Sequence, residues 1–169
     1  MAEECFDSVV PMDSYGFAKY AVSKYISFQD HMLVLRVFGL YGPGEDYRYK
    51  FISNAIVKGL IGMPITIAQN VVFDYLYISD FVRLVEKLLT IEWPYRHMNI
   101  TPTESVDLVS IARIVNDVTG NSAGIKVLNP GMNNEYTGDN RRLVEVVGSF
   151  SFTTYERGIR ELIDYYQST

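Results

Sequence analysis

The sequence predicts an α/β fold, and three observations carry that expectation. Met32 to Phe38 is a continuous apolar run broken only by Arg36, the pattern of a strand buried on both faces of a parallel sheet. Leu108, Ile111, Ala112, Val115 and Val118 recur at helical spacing, as do Tyr155, Ile159, Leu162, Ile163 and Tyr166, so each set lines one face of an amphipathic helix. Helical and extended patterns then alternate along the chain, as layered α/β packing requires.

Taken in order, a first helix is expected from about Ser14 to Gln29, capped by Asp13 or Ser14. The strand 32–38 leads into a loop from Gly39 to Tyr47, and a second helix spans roughly Tyr49 to Leu60. Pro64–Ala68 and Val71–Leu76 read as two strands of a hairpin turning at Gln69-Asn70. Ser79 or Asp80 caps a helix with Phe81, Leu84, Val85 and Leu88 on its apolar side, and Trp93-Pro94 marks its exit. A short strand, Met98 to Thr101, leads to Ser105 as N-cap of a helix that Gly120 ends. Ile125–Leu128 reads as a strand, Asn129–Asp139 as a polar loop and Asn140–Val147 as a short helix, and Thr153 caps the last helix. Met1 to Asp13, acidic and broken by Pro11, is expected to be a loose tail.

Composition excludes several function classes. A net charge of −5 offers no basic excess to displace counterions from nucleic-acid phosphates. One cysteine, Cys5, rules out an internal disulfide and fits the reducing cytoplasm. No apolar run approaches the ~20 residues of a membrane span. The two histidines, His31 and His97, lie far apart without evident partners, and there is no metal-ligand spacing. Gly39-Leu40-Tyr41-Gly42-Pro43-Gly44 follows a strand, but Pro43 lacks a backbone donor, and Glu45 and Asp46 repel anions. It reads as a turn.

Tyr15-Gly16-Phe17-Ala18-Lys19 carries the clearest chemistry. A tyrosine and a lysine four apart on a helix share one face. The ammonium favours the tyrosinate, so the phenol can pass a proton near neutral pH. That suits hydride chemistry on a sugar or alcohol, where a hydroxyl loses its proton as its carbon loses hydride. Spacing alone does not decide the matter, because Tyr20 and Lys24 repeat it one turn further on. Either pair equally describes a helix surface.

Order along the chain separates them. Ser14 to Lys19 opens a helix, Leu33 to Gly44 gives a buried strand and a Tyr-Gly-Pro-Gly loop, and Phe73-Asp74-Tyr75-Leu76-Tyr77-Ile78-Ser79-Asp80 precedes another helix. These blocks, in this order, resemble the extended short-chain dehydrogenase/reductase family, which includes NAD-dependent epimerases and dehydratases of nucleotide-activated sugars. The resemblance implies an incomplete doubly wound, Rossmann-like sheet from residues 1–40 and 76–102. Residues 41–75 and 103–169 would form the smaller C-terminal substrate-binding α/β domain. It implies Tyr15 as acid/base, with Lys19 lowering its pKa and touching the nicotinamide ribose. Phe38 would pack by the nicotinamide, although a plain core phenylalanine fits that position equally. Gly39, Tyr41, Ile67 and Phe73 would face the substrate.

By the same resemblance, the cofactor of the parent is NAD or NADP and the partner a nucleotide-sugar substrate. A homodimer would form through the Tyr-Lys helix, using Ala18, Ala21, Val22, Tyr25 and Ile26. The family's strand, glycine-rich turn and helix, which hold the pyrophosphate, do not precede Tyr15. The chain is therefore expected to be a C-terminal part that binds no dinucleotide and turns over nothing by itself. Two departures bear on the substrate. Gly39 stands where many relatives carry an asparagine that contacts the sugar, and Phe73 where many carry an arginine against the diphosphate. Phenylalanine cannot make that bidentate contact, and Arg83, Arg141 and Arg142 are the candidates to replace it. Three readings follow: a nucleotide-sugar epimerase, dehydratase or reductase; a non-catalytic substrate-binding or dimerisation module; and a relative acting on a non-nucleotide substrate.

Overall fold

The computed structural model describes residues 1–168, and two apolar cores organise them. A 3-10 helix, Glu3–Asp7, precedes α1 (Ser14–Ser27). Asp13 caps α1, its carboxylate accepting from the Gly16 amide at 2.7 Å. β1 (Val34–Val37) pairs in parallel with β6 (His97–Ile100), Val34 opposite His97 and Val37 opposite Ile100. Where the sequence suggested a loop, β2 (Gly39–Tyr41) instead pairs in parallel with β5 (Tyr75–Tyr77). The reason is a close approach of two backbones: a Cβ on Gly39 would stand 2.9 Å from the carbonyl oxygen of Asp74.

α2 (Phe51–Leu60) leads to β3 (Ile65–Asn70), β4 (Val72–Phe73) and, after β5, α3 (Ile78–Leu88). β7 (Val106–Asp107), α4 (Leu108–Thr119), β8 (Ile125–Met132), α5 (Arg141–Val147) and α6 (Tyr155–Ser168) complete the chain. The expected hairpin at Gln69-Asn70 does not form. β3 pairs in parallel with β8, and β4 in antiparallel fashion with β7. Gln69-Asn70 lacks the glycine that a two-residue hairpin turn needs. Asn70 instead uses its side chain to join segments, donating to Asp107 at 2.9 Å and accepting from Val109 N at 3.2 Å.

The caps move for similar reasons. Asp107, not Ser105, caps α4 through the amides of Val109 and Ser110; Ser105 donates its hydroxyl to Asp74 instead. Asp80 does not cap α3. It lies buried and accepts from the backbone N–H of Thr153 at 2.7 Å, the Thr153 hydroxyl at 2.8 Å and Arg83.

One core gathers Ile52, Ile56, Ile65, Ile67, Ile111 and Leu162 between α2, α4, α6 and β3. The other gathers Leu76, Leu84, Leu88, Met98, Ile100 and Leu143. Truncating such a buried side chain to alanine costs about 2–5 kcal/mol. α5 buries Leu143 and Val147 in this second core, beside segments expected on the cofactor side. β5 feeds both cores, Leu76 one and Tyr77 the other.

The N-terminal segment is docked rather than loose. Glu3 is 3% exposed and accepts from the Asn99 amide of β6 at 3.0 Å. Asn99 Nδ2 donates to the carbonyls of Met1 and Asp139, both at 3.0 Å. The buried Glu3 carboxylate thereby satisfies a backbone N–H of β6, and the buried Asn99 side chain two backbone carbonyls.

Candidate active site

α1 and β1 enclose a cleft of about 700 Å³. Tyr15 and Lys19 enter it from α1, and Phe38, just beyond the end of β1, forms part of its wall with Tyr136. The Lys19 ammonium stands 4.3 Å above the centre of the Tyr15 ring, so the two side chains share one helix face as their spacing requires. Tyr15 is 69% exposed. Among the described residues, no protein group hydrogen-bonds the Tyr15 hydroxyl or the Lys19 ammonium, leaving both available to a ligand.

The second pair is engaged. Tyr20 donates to Asp7 at 3.2 Å and Lys24 pairs with the same carboxylate at 2.8 Å. The Lys24 hydrogen bond holds the Asp7 carboxyl below the usual carboxylate range, and Asp7 in turn raises the Lys24 ammonium. Phe6 stacks on Tyr20 at 5.1 Å, and the Arg36 guanidinium lies 3.8 Å from the centre of the Phe6 ring. Burial lowers the pKa of Arg36, and its Nε is buried without a partner.

His97 is structural. Its Nε2 lies 2.9 Å from Arg142 Nη1, and a guanidinium only donates, so Nε2 accepts and the ring is neutral. Burial, with Arg36 and Arg142 nearby, lowers its pKa. Of the arginines considered as phosphate ligands, Arg83 is held by Asp80 and the Ser151 carbonyl, Arg141 by Asp139, and Arg142 by Glu4 and His97. None of them lines this cleft or the one beside it.

That second cleft, about 330 Å³, opens on the other side of Phe38 and is lined by Gly39, Tyr41 and Phe73 among others. Tyr41 offers it a ring rather than a hydroxyl: its Oη is buried without a partner against Gly158. Ile67 belongs elsewhere. It is 1% exposed within the first core, so its side chain has no open surface to give a substrate, contrary to the sequence expectation.

Aromatic rings link the clefts in sequence: Phe38 to Tyr136 at 5.2 Å, Tyr136 to Phe73 at 5.7 Å, and Phe73 to Tyr75 at 5.2 Å. Asp74 fixes the loop that carries Tyr136. Its buried carboxylate accepts from Gly138 N at 2.7 Å and from the Ser105 hydroxyl. Gly138 then lies so close to Phe38 that a Cβ would stand 2.6 Å from the ring. Sequence reasoning placed Tyr136 in a polar loop and missed it, since an isolated tyrosine among asparagines has no periodicity to reveal its position.

A model of the NAD dependent epimerase/dehydratase family matches residues 2–101. The chain belongs to that family. As a member of it, the chain is similar in fold to several solved enzymes. One is the UDP-glucose 4-epimerase of Thermotoga maritima, solved with UDP-glucose, at 22% identity and a TM-score of 0.77 over 94% of this chain and 54% of that one. A second is the dTDP-glucose 4,6-dehydratase of Bacillus anthracis, in complex with NAD, at 20% identity and a TM-score of 0.75 over 95% and 54%. A third is a GDP-L-fucose synthetase from Naegleria fowleri, at 14% identity and a TM-score of 0.84 over 99% and 59%. This family chain thus spans between half and three-fifths of the length of these structures. No curated protein matches it significantly. Among the described residues, no helix is long and apolar enough to cross a membrane.

Proposed function

We propose that the native protein carrying this chain is an NAD(P)-dependent enzyme of the nucleotide-sugar epimerase, dehydratase or reductase class, with Tyr15 as its acid/base. One observation carries the residue assignment. Of two Tyr-Lys pairs with the same spacing, Tyr15 and Lys19 stand in a large cleft without hydrogen-bond partners, whereas Tyr20, which lines the same cleft, and Lys24 are both bound to Asp7. The family and the nucleotide-sugar enzymes of similar fold support the reaction class.

The cleft suits the nicotinamide-ribose end of the cofactor, because it offers an apolar wall at Phe38 beside an unengaged ammonium and phenol. When bound, NAD or NADP supplies the hydride acceptor or donor. The other tasks fall to this chain. Tyr15 Oη takes or returns the proton of the reacting hydroxyl. Lys19 would hold the cofactor through a ribose hydroxyl, and the Phe38 ring would shield that side from water. The exposed apolar members of α1 outside the cleft, Phe17 at 53% and Tyr25 at 64%, favour a homodimer joined through this helix.

The test is to incubate the native protein with NAD or NADP and UDP-, dTDP- and GDP-linked hexoses, following products by mass spectrometry. Turnover that is lost in Lys19→Met and kept in Lys24→Met is the expected result. Turnover that survives Lys19→Met overturns the assignment.

A further inference from the structure

The second cleft has a chemistry of its own. Among the described residues, its only charged lining groups are Glu45 and Lys50. Lys50 lies at the exposed rim, whereas Glu45 is half-buried and held in place. The hydroxyl of Ser53, itself fully buried, donates to Glu45 Oε1. A carboxylate has about four lone-pair sites, so this anchor leaves acceptor capacity facing the cleft. Burial pushes the Glu45 carboxyl up, while Ser53 and Lys50 pull it back. Leaving a carboxyl half out of water is costly unless it finds donors, and a loop glutamate at Gly44-Glu45-Asp46 has the freedom to turn outward. Here it does not.

The walls around Glu45 are aromatic. Phe73 and Tyr75 lie with ring centres 5.2 Å apart, and Tyr49 stands at the mouth. An aromatic cleft with one fixed acceptor suits a ring that stacks by its face and donates from its edge. A diphosphate is poorly suited. It would meet the Glu45 carboxylate, Phe73 supplies no charge, Arg83, Arg141 and Arg142 are tied elsewhere, and the lining cation, Lys50, stands out at the exposed rim.

We infer that the second cleft holds an uncharged, hydroxyl-bearing ring of the substrate, with Glu45 as its hydrogen-bond acceptor and Phe73 and Tyr75 as its stacking wall, rather than the substrate's diphosphate. This inference rests on the nucleotide-sugar reading above and assigns a specificity-determining residue within it. Hexose and ribose share the required chemistry, and the probes below separate them.

The experiment titrates the native protein calorimetrically with UDP-glucose, UDP, methyl glucoside and inorganic pyrophosphate, for wild type, Glu45→Gln and Ser53→Ala. Circular dichroism confirms that each variant is folded. Losing hydrogen bonds to a charged acceptor should weaken binding about ten- to a hundredfold. A loss confined to methyl glucoside and UDP-glucose places the hexose in the cleft, and a loss shared by UDP and UDP-glucose but not methyl glucoside places the ribose there. Ser53→Ala should weaken the same ligands to a lesser degree. Pyrophosphate affinity should be unchanged by Glu45→Gln. Tighter pyrophosphate binding in Glu45→Gln, or unchanged affinity for every probe, overturns the inference. Turnover of nucleotide sugars with no Glu45 dependence sinks this subsite and leaves the proposed reaction standing. Glu45-dependent glucoside binding without turnover of any nucleotide sugar sinks the reaction and leaves the subsite.

Discussion

Two Tyr-x-x-x-Lys pairs stand one turn apart on α1, and the sequence gives them the same spacing and the same helix. Their surroundings differ. Tyr20 and Lys24 converge on Asp7, with Phe6 stacked on the tyrosine ring, and that pair ties the N-terminal segment to α1. Tyr15 and Lys19 have only each other and a cleft of about 700 Å³. A spacing supplies a common face, and the neighbouring carboxylate decides whether that face holds the fold together or stays free for a ligand.

The largest effect should come from the free pair. Tyr15→Phe keeps the ring and removes the proton carrier, so kcat should fall by about 10²- to 10⁴-fold with little change in KM. Tyr20→Phe should remain within a few-fold of wild type. Steady-state kinetics on both variants checks this, and the reverse pattern would show that the engaged pair is the working one.

Next comes the wall beside the free pair. Gly138→Ala drives a methyl group toward the Phe38 ring, since a carbon added there would stand only 2.6 Å from it. Overpacking of this kind costs roughly 1–3 kcal/mol, which chemical denaturation would reveal, together with weaker binding of the nicotinamide cofactor. The second pair packs against Phe6 rather than Phe38, so its hydrogen bonds to Asp7 should persist. Gly39→Asn should be more disruptive to folding than Gly138→Ala, because its Cβ meets a backbone carbonyl at 2.9 Å rather than a movable ring.

The smallest effect belongs to Asp7→Ala. Its folded pKa lies below the ordinary carboxylate value because Lys24 and Tyr20 bond the charged form. The stability it adds is therefore present above about pH 4 and lost as pH falls through the depressed value. Both partners are exposed, so the change in Tm should be near the limit of detection and vanish in high salt. Combining Asp7→Ala with Tyr15→Phe sharpens the comparison. Activity that returns in the double variant would mean that only Asp7 keeps the second pair from chemistry.

Periodicity made the helices legible. α1, α2, α4 and α6 lie within a few residues of where their apolar stripes and caps put them. Pairing partners were harder to read, because parallel strands are joined over long stretches of chain and nothing local to Asn70 announces Met132 as its neighbour. The candidate site divides in the same way. Tyr15, Lys19, Phe38, Gly39 and Phe73 stand in short motifs, and the structure brings them to two adjoining clefts. Tyr136 reaches its cleft through contacts with Val72, Phe73 and Asp74, far away in the sequence, and Glu45 is held by the hydroxyl of Ser53 in the helix that follows. Such contacts leave no local pattern. Ile67 shows the converse, a residue in a recognisable block whose side chain the core claims.

β8 carries a consequence for solubility. It pairs with β3 on one side, and beyond its first residue its whole length is exposed, Val127 and Leu128 included. An open, apolar strand edge invites pairing with another copy of the same strand, the first step toward aggregation. Pro130 interrupts that invitation, since it has no amide hydrogen to donate to an incoming strand. Lys126 adds a charge that stacked copies would have to bring together. The irregular register where β3 meets this stretch is thus the local cost of an edge that resists growing.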